Sequence, residues 1–335
     1  MARYATILGT GMYIPENEIT NETFAGWMGE VSSKLAEVVF KFEANSGIKT
    51  RFYAPDDWAT SDLAAAAGKA AIADAGLTPE DIDLVIVGTD SPDYITPATS
   101  VVTQFKLGCV NAGTWDVGCA CASFPTALTQ AAGLIATNPH LKYVLVIGAY
   151  MMHKLSDYKH DVAAFFYGDG AGAAVVGASD KPGFISSSIK ADGSYHKNWG
   201  IYSGGTYEPA TVESVEAGRT TVKLVTPFPA TVNHEGWPAR VRECAANGGF
   251  ELSEIDHIIF TQVNVNSIKL VMDNLGLPVE KAHYVMDKWG YMGSACLPIA
   301  FHDAVKLGKI TSGMRVVFCG SGVGYNQAAA CFIMP

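Results

Sequence analysis

The chain has 335 residues, of which 49% are hydrophobic and only 17% charged, with a formal net charge of −10. That balance excludes a disordered chain, supplies apolar side chains for two fused halves around large cores, and sets an overall field that repels nucleic acid. Seven cysteines are an odd and sparse set for this length, so free thiols are expected rather than a disulfide framework.

No Lys/Arg block offers a local exception to the acidic field. The start, "MARYATILGTG", lacks the long apolar stretch of a signal peptide. No apolar run approaches the ~18 residues of a membrane span. A soluble, cytoplasmic protein with neither nucleic-acid nor membrane partners is therefore expected.

In chain order, "EDIDLVIVGTD" (Glu80–Asp90) is an acidic turn followed by a continuous apolar strand. Unbroken apolar strands are buried on both faces, as in a sheet between helix layers. Asp90 follows the strand end, where active-site loops of such sheets lie. The residues alone leave it open as an acid/base or as a loop cap. Asp93, in "SPDY", reads as a turn residue.

"TWDVG" reads as a strand and "CASFPTALTQAAGLIATN" as the helix after it, with Pro125 in the first turn, where its missing N–H costs little. Cys121 then sits near the helix N-terminus, where the macrodipole and free N–H groups favour a thiolate. Cys119 lies earlier and points differently. Residue pattern alone leaves both open as small buried hydrophobes. A one-residue gap does not suit a disulfide between them. Paired Cys/His spacings for zinc are missing, so no metal is expected.

"KYVLVIGAY" (Lys142–Tyr150) reads as the next strand. The segment Gly183–Arg219 fits no clear helix and reads as strands and loops joining two halves. A second copy of the pattern follows. "SEIDHIIFTQV" (Ser253–Val263) repeats "EDIDLVIVGTD" at an offset of 173 residues, and "MRVVFCGSG" (Met314–Gly322) places Gly320 opposite Gly148 at 172. Small-residue helices lie between these strands, Ala122–Thr137 and Ala295–Leu307, with Pro125 and Pro298 again 173 apart. Two duplicated mixed α/β halves, residues 1–180 and 181–335, are expected to pack as a pseudo-dimer.

"CACASFPTAL", "KYVLVIGAY", "FFYGDGAGAAVV" (Phe165–Val176) and "CGSGVGYN" (Cys319–Asn326) together resemble the condensing enzymes of the thiolase superfamily. Within it the chain is most similar to the β-ketoacyl-acyl-carrier-protein synthase III family. The likeness runs from "GTGMYIPENEITN" through "SGIKTR" (Ser46–Arg51) to the C-terminal strand. It implies a five-layer αβαβα pseudo-dimer and a nucleophilic Cys121 that accepts an acyl group from acyl-CoA or an acyl carrier protein. It also implies a dimer, homomeric or hetero-oligomeric, and no cofactor beyond the thioester substrate. Cys119 falls where the family has a small residue and is taken as packing.

The chain departs from the family's Cys–His–Asn site. The His position holds Thr261 in "TQVN", and the Asn position holds Tyr291 in "WGYMGSA". In the family those two donate hydrogen bonds to the thioester oxygen when malonyl decarboxylates. Both replacements can donate, but Thr261 is no base near neutral pH, which puts malonyl decarboxylation in doubt. Gln262 and Asn264 are retained and are assigned to substrate binding with Arg51. The oxyanion candidates are the Cys121 N–H and the turn Gly320, Ser321 and Gly322. Asp90 matches a catalytic Glu of the related 3-hydroxy-3-methylglutaryl-CoA synthases and is the displaced acid/base candidate. Lys41, Asn45 and Asn266 replace residues that grip CoA in the family. His153 and His160 are candidates for a substrate entrance, and His257 reads as packed. Two readings result: an acyl-thioester enzyme working through Cys121, or a non-catalytic or thiolytic subunit of a hetero-oligomeric complex.

Overall fold

The computed structural model describes residues 3–158, 161–229 and 231–335. The apolar run Leu84–Gly88 is a strand with parallel neighbours on both sides, Gly113–Val117 and Tyr143–Met151. Asp169–Ser179 and then Tyr4–Tyr13 extend the sheet antiparallel. The second sheet repeats this order. His257–Phe260 runs parallel to Arg315–Gly322, and Asn326–Ile333 and Phe184–Ala191 follow antiparallel. Its fifth position shrinks to a single parallel bridge between Ile258 and Ala282. The first sheet draws on residues 4–179 and the second on residues 184–333.

Strand periodicity explains the unbroken apolar runs. Leu84 and Ile86 face the large core between the sheets, while Val85 and Val87 face a second core under an outer helix. With both faces dry, no position in the strand tolerates a polar side chain. The outer helix is the alanine-rich Thr60–Asp74, packed on the first sheet. Helices Ser123–Thr137 and Cys296–Lys306 lie between the sheets, and Val232–Gly248 covers the second sheet with Val265–Leu275 beside it. The layers are thus α, β, α, β, α, a thiolase-like arrangement.

The duplication extends to short turns. Turns of 3-10 helix at Pro79–Asp81 and Ala120–Ala122 recur at Leu252–Glu254 and Gly293–Ala295, each 173 residues on. The two central helices therefore begin one residue later than expected, at Ser123 and Cys296, because a 3-10 turn leads into each. The segment after Gly183 holds a strand, as expected, and differs from its expected reading in one short helix. Phe184–Ala191 is an integral strand of the second sheet, and Val212–Glu216 is a short helix capped by the Thr211 side chain on the Ser214 N–H.

The halves join closely at Gly148. A Cβ added there would lie 2.2 Å from the Ser294 carbonyl oxygen and 3.0 Å from Pro298 Cγ. Backbone of the second half occupies the space a side chain would need. Gly148→Ala is expected to destabilise the protein by about 3 kcal/mol, as for other overpacked cores. Urea unfolding measures this, and a wild-type midpoint would show that the junction yields.

Candidate active site

Cys121 reaches its place by a sharp turn. Ala120 has φ +46°, a left-handed backbone that a residue with a Cβ adopts only when its surroundings impose it. Gly322 supplies those surroundings, since a Cβ on it would stand 2.0 Å from the Cys119 carbonyl oxygen and 2.9 Å from Ala120 Cβ. The second sheet thus presses on the turn that aims Cys121. The helix Ser123–Thr137 begins two residues later, which places the sulfur near the positive end of its macrodipole.

Cys121 is 4% exposed, and its Sγ lies 2.5 Å from the Tyr291 hydroxyl. Both open onto a cavity of about 230 Å³ that Asp90 also lines. The rest of the wall is mainly apolar and aromatic, including Phe166, Tyr167, Trp199 and Phe228. Tyr291 is held by its backbone, whose carbonyl accepts from the Gly168 N–H at 2.8 Å in a bridge with Tyr167. Burial and the neighbouring Cys121 push the phenol well above its usual range. Tyr291 therefore stays protonated and acts as a hydrogen-bond donor.

The surroundings of Cys121 oppose the thiolate that its helix start favours. A hydrogen bond with the Cys296 thiol, burial and the charge of Asp90 hold Cys121 well above its ordinary value, and the Tyr291 hydroxyl opposes them. Tyr291→Phe removes the donor that favours thiolate. Cys121 alkylation by iodoacetamide at pH 8 is expected to slow about tenfold in that variant, the effect of one hydrogen bond to a charged group. An unchanged rate would mean that the phenol does not support the charged sulfur.

Asp90 is partly exposed, only a short step beyond the buried strand Leu84–Gly88. Its Oδ1 accepts a hydrogen bond from Ser294 Oγ at 3.0 Å. Burial raises its carboxyl to about 6, and the Ser294 bond works against that rise. Asp90 is thus a carboxylate at neutral pH and takes up a proton readily.

The other expected site residues divide. Thr261 is 2% exposed, and its Oγ1 accepts from the Ser321 N–H at 3.3 Å. It braces the strand end rather than facing the cavity, and it engages one of the expected oxyanion donors. Ser321 and Gly322 line the cavity, whereas Gly320 packs behind Cys121, with room for no Cβ beside the Cys121 carbonyl. Ser321 Oγ donates to Asn233 Oδ1 at 2.8 Å and accepts from Trp237 Nε1 at 3.0 Å.

The three residues expected to bind substrate lie outside the cavity lining. Gln262 is fully buried, donating to the Phe260 and His283 carbonyls and accepting from the Val285 N–H. Asn264 caps the helix Val265–Leu275 through the N–H groups of Asn266 and Ser267. Arg51 is 0% exposed, bonded to Asn21 Oδ1 at 2.6 Å and set between the rings of Phe24 and Phe165. Each makes hydrogen bonds that hold the fold, and none lines the cavity.

Asn266 and Asn45 do meet, through Asn266 Nδ2 to the Asn45 carbonyl at 3.0 Å, with Lys41 exposed on the same helix as Asn45. His153 is paired with buried Asp169 and stacked on Tyr53, away from the cavity. His160 lies outside the described residues. His257 packs with Nδ1 at the Lys281 carbonyl, and Asp93 accepts from the Ser61 N–H and hydroxyl. Cys119 is half-buried, and its N–H donates to Ser123 Oγ. Among the described residues, no cluster of three or more His, Cys, Asp or Glu side chains is placed to hold a metal, and no helix is long and apolar enough to cross a membrane.

The sequence pattern described as 3-oxoacyl-[acyl-carrier-protein (ACP)] synthase III matches residues 115–193, and the pattern of its C-terminal part matches residues 245–334. Together these cover just over half of the chain. The chain belongs to the 3-oxoacyl-[acyl-carrier-protein] synthase III family. It is an enzyme of the acyl-transferring, condensing kind. The synthase III of Thermus thermophilus is similar over 98% of this chain and 99% of its own, at 28% identity and a TM-score of 0.86. That of Aquifex aeolicus VF5 covers the same shares at 27% identity and a TM-score of 0.84. The priming β-ketosynthase of the R1128 polyketide biosynthetic pathway covers 100% and 97%, at 27% identity and a TM-score of 0.86.

Several cavity residues of this synthase III family member escaped sequence reasoning. Trp199, Leu224 and Phe228 come from the irregular segment after the first strand of the second sheet, where no periodicity marks a site. Tyr167 and Tyr325 flank glycine-rich motifs that were legible. Ser294 carried a usable signal, since it stands 173 residues after Cys121, the offset of the duplication.

Proposed function

We propose that Cys121 accepts an acyl group from an acyl-CoA or acyl-carrier-protein thioester and that Asp90 then enables its transfer to a second substrate. In the first step Cys121 Sγ attacks the thioester carbonyl. The S–C bond of the donor breaks, and the Cys121 proton leaves with the donor's sulfur as a free thiol. Tyr291 donates to Sγ and supports the negative charge as it develops. The Cys121 N–H, at the head of its helix, stabilises the carbonyl oxygen, a kind of contact worth about 10²–10³ in rate.

In the second step the acceptor attacks the acyl carbonyl. Asp90 removes the acceptor's proton, and Cys121 leaves as a thiolate that is reprotonated within the cavity. With Thr261 turned to the Ser321 N–H, that side chain does not stand in for the family's His. We therefore assign the second step to proton abstraction from the acceptor rather than to malonyl decarboxylation. The observation that supports this reading best is the convergence of Cys121, Tyr291 and Asp90 on one largely apolar cavity.

Incubation with a panel of acyl-CoAs, followed by intact mass and peptide mapping, tests the first step. A mass gain on the Cys121 peptide, absent from Cys121→Ser, is expected. A gain that persists in Cys121→Ser, or none with any donor, would favour a non-catalytic subunit.

A further inference from the structure

We propose that Ser294 is a positioning residue for Asp90, the second half's counterpart of Cys121 turned to holding the base. The inference rests on the reading of Asp90 as the group that takes the acceptor's proton. Cys121 and Ser294 are the middle residues of the matching turns Ala120–Ala122 and Gly293–Ala295. Each turn leads into one of the two central helices. The duplication therefore brings two polar side chains to one site from opposite halves, one as nucleophile and one bonded to the carboxylate.

Ser294 is well fixed for this task. It is 0% exposed, and its Oγ donates to Asp90 Oδ1 at 3.0 Å. Its carbonyl packs where Gly148 has no side chain, and the ring of Tyr150 lies over Gly293, where a Cβ would approach Tyr150 Cε2 to 2.2 Å. A hydroxyl held this firmly keeps the carboxylate in one rotamer. It also favours the charged form, since a hydrogen bond to a carboxylate is lost on protonation. Asp90 is otherwise faced by Cys121, Tyr150, Tyr167 and Tyr291, all neutral in their resting state across the working range. Among the described residues lining the cavity there is no Lys, Arg or His. Among the described residues, Ser294 is thus the side chain whose hydrogen bond holds Asp90 ready as a base.

The test is the pH dependence of acyl transfer from preloaded acyl-enzyme to acceptor, in wild type, Ser294→Ala, Ser294→Cys and Asp90→Asn. Wild type is expected to lose rate below a midpoint near pH 6, where Asp90 gains its proton. In Ser294→Ala the midpoint should rise by about one to two pH units, the worth of one hydrogen bond to a charged group. Ser294→Cys keeps the volume with a weaker donor and should fall between the two. A midpoint that stays in place in the folded Cys variant and in Ser294→Ala overturns the inference, even where the plateau falls, because that marks a purely structural side chain. If Asp90→Asn keeps the wild-type limb, the reading of Asp90 itself fails, whatever Ser294 does.

Discussion

Cys121→Ala is expected to lower acyl transfer by about 10⁴-fold or more, the scale on which removal of a covalent nucleophile acts. The fold should survive. The sulfur is the only heavy atom removed, and the turn that carries it is held by the Ala120 backbone and by the close approach of Gly322. Cys119→Ala is the matched control. Its sulfur is not among the groups lining the cavity, and the bond from its N–H to Ser123 Oγ is kept, so activity should stay within about twofold of wild type, as for changes away from the reacting atoms. Steady-state rates with thioester donors distinguish the two. Equal losses in both variants would mean that the turn, not the Cys121 sulfur, is what matters.

Asp90→Asn is expected to slow the second step by about 10²–10⁴-fold while Cys121 still takes up an acyl group. The same change should stabilise the protein. Burial raises the folded-state carboxyl from 3.8 to about 6. Between about pH 4 and 6 the folded protein therefore holds a proton that the unfolded chain has released. Stability from this group is present below pH 4 and is lost as pH rises through 6. At neutral pH the desolvated carboxylate costs about 3 kcal/mol, which Asn does not incur. A higher melting temperature with a slower second step would mark a charge kept for chemistry at the expense of stability. Lower stability and loss of both steps together would point to a folding role.

Much of the frame was legible because duplication leaves a record in spacing. Continuous apolar strands gave the buried sheets, and the 173-residue offset located both central helices to within a residue. Cys121 and Tyr291 were legible from their motif positions, and Asp90 from its place just after a strand end. The state of the Cys121 sulfur was not. Helix polarity argued for a thiolate, but Cys296, burial and Asp90 oppose it, and those neighbours meet Cys121 only in the folded chain. The packing of Gln262, Asn264 and Arg51 was not legible for a related reason. A motif position tells which residue stands at a site but not whether its polar atoms are already engaged, and here backbone groups, a helix start and two aromatic rings engage them. The aromatic wall from Trp199 to Phe228 lies in irregular chain, where sequence period carries no information.

The most direct test mixes Asp90→Asn with an acyl-CoA that loads the wild-type enzyme, then adds acceptor and follows the intact mass of the protein with time. The account predicts that the variant gains the acyl mass on Cys121 at close to the wild-type rate and then holds it, while wild type discharges to the acceptor. Discharge at the wild-type rate, or acyl mass on any residue other than Cys121, would contradict it.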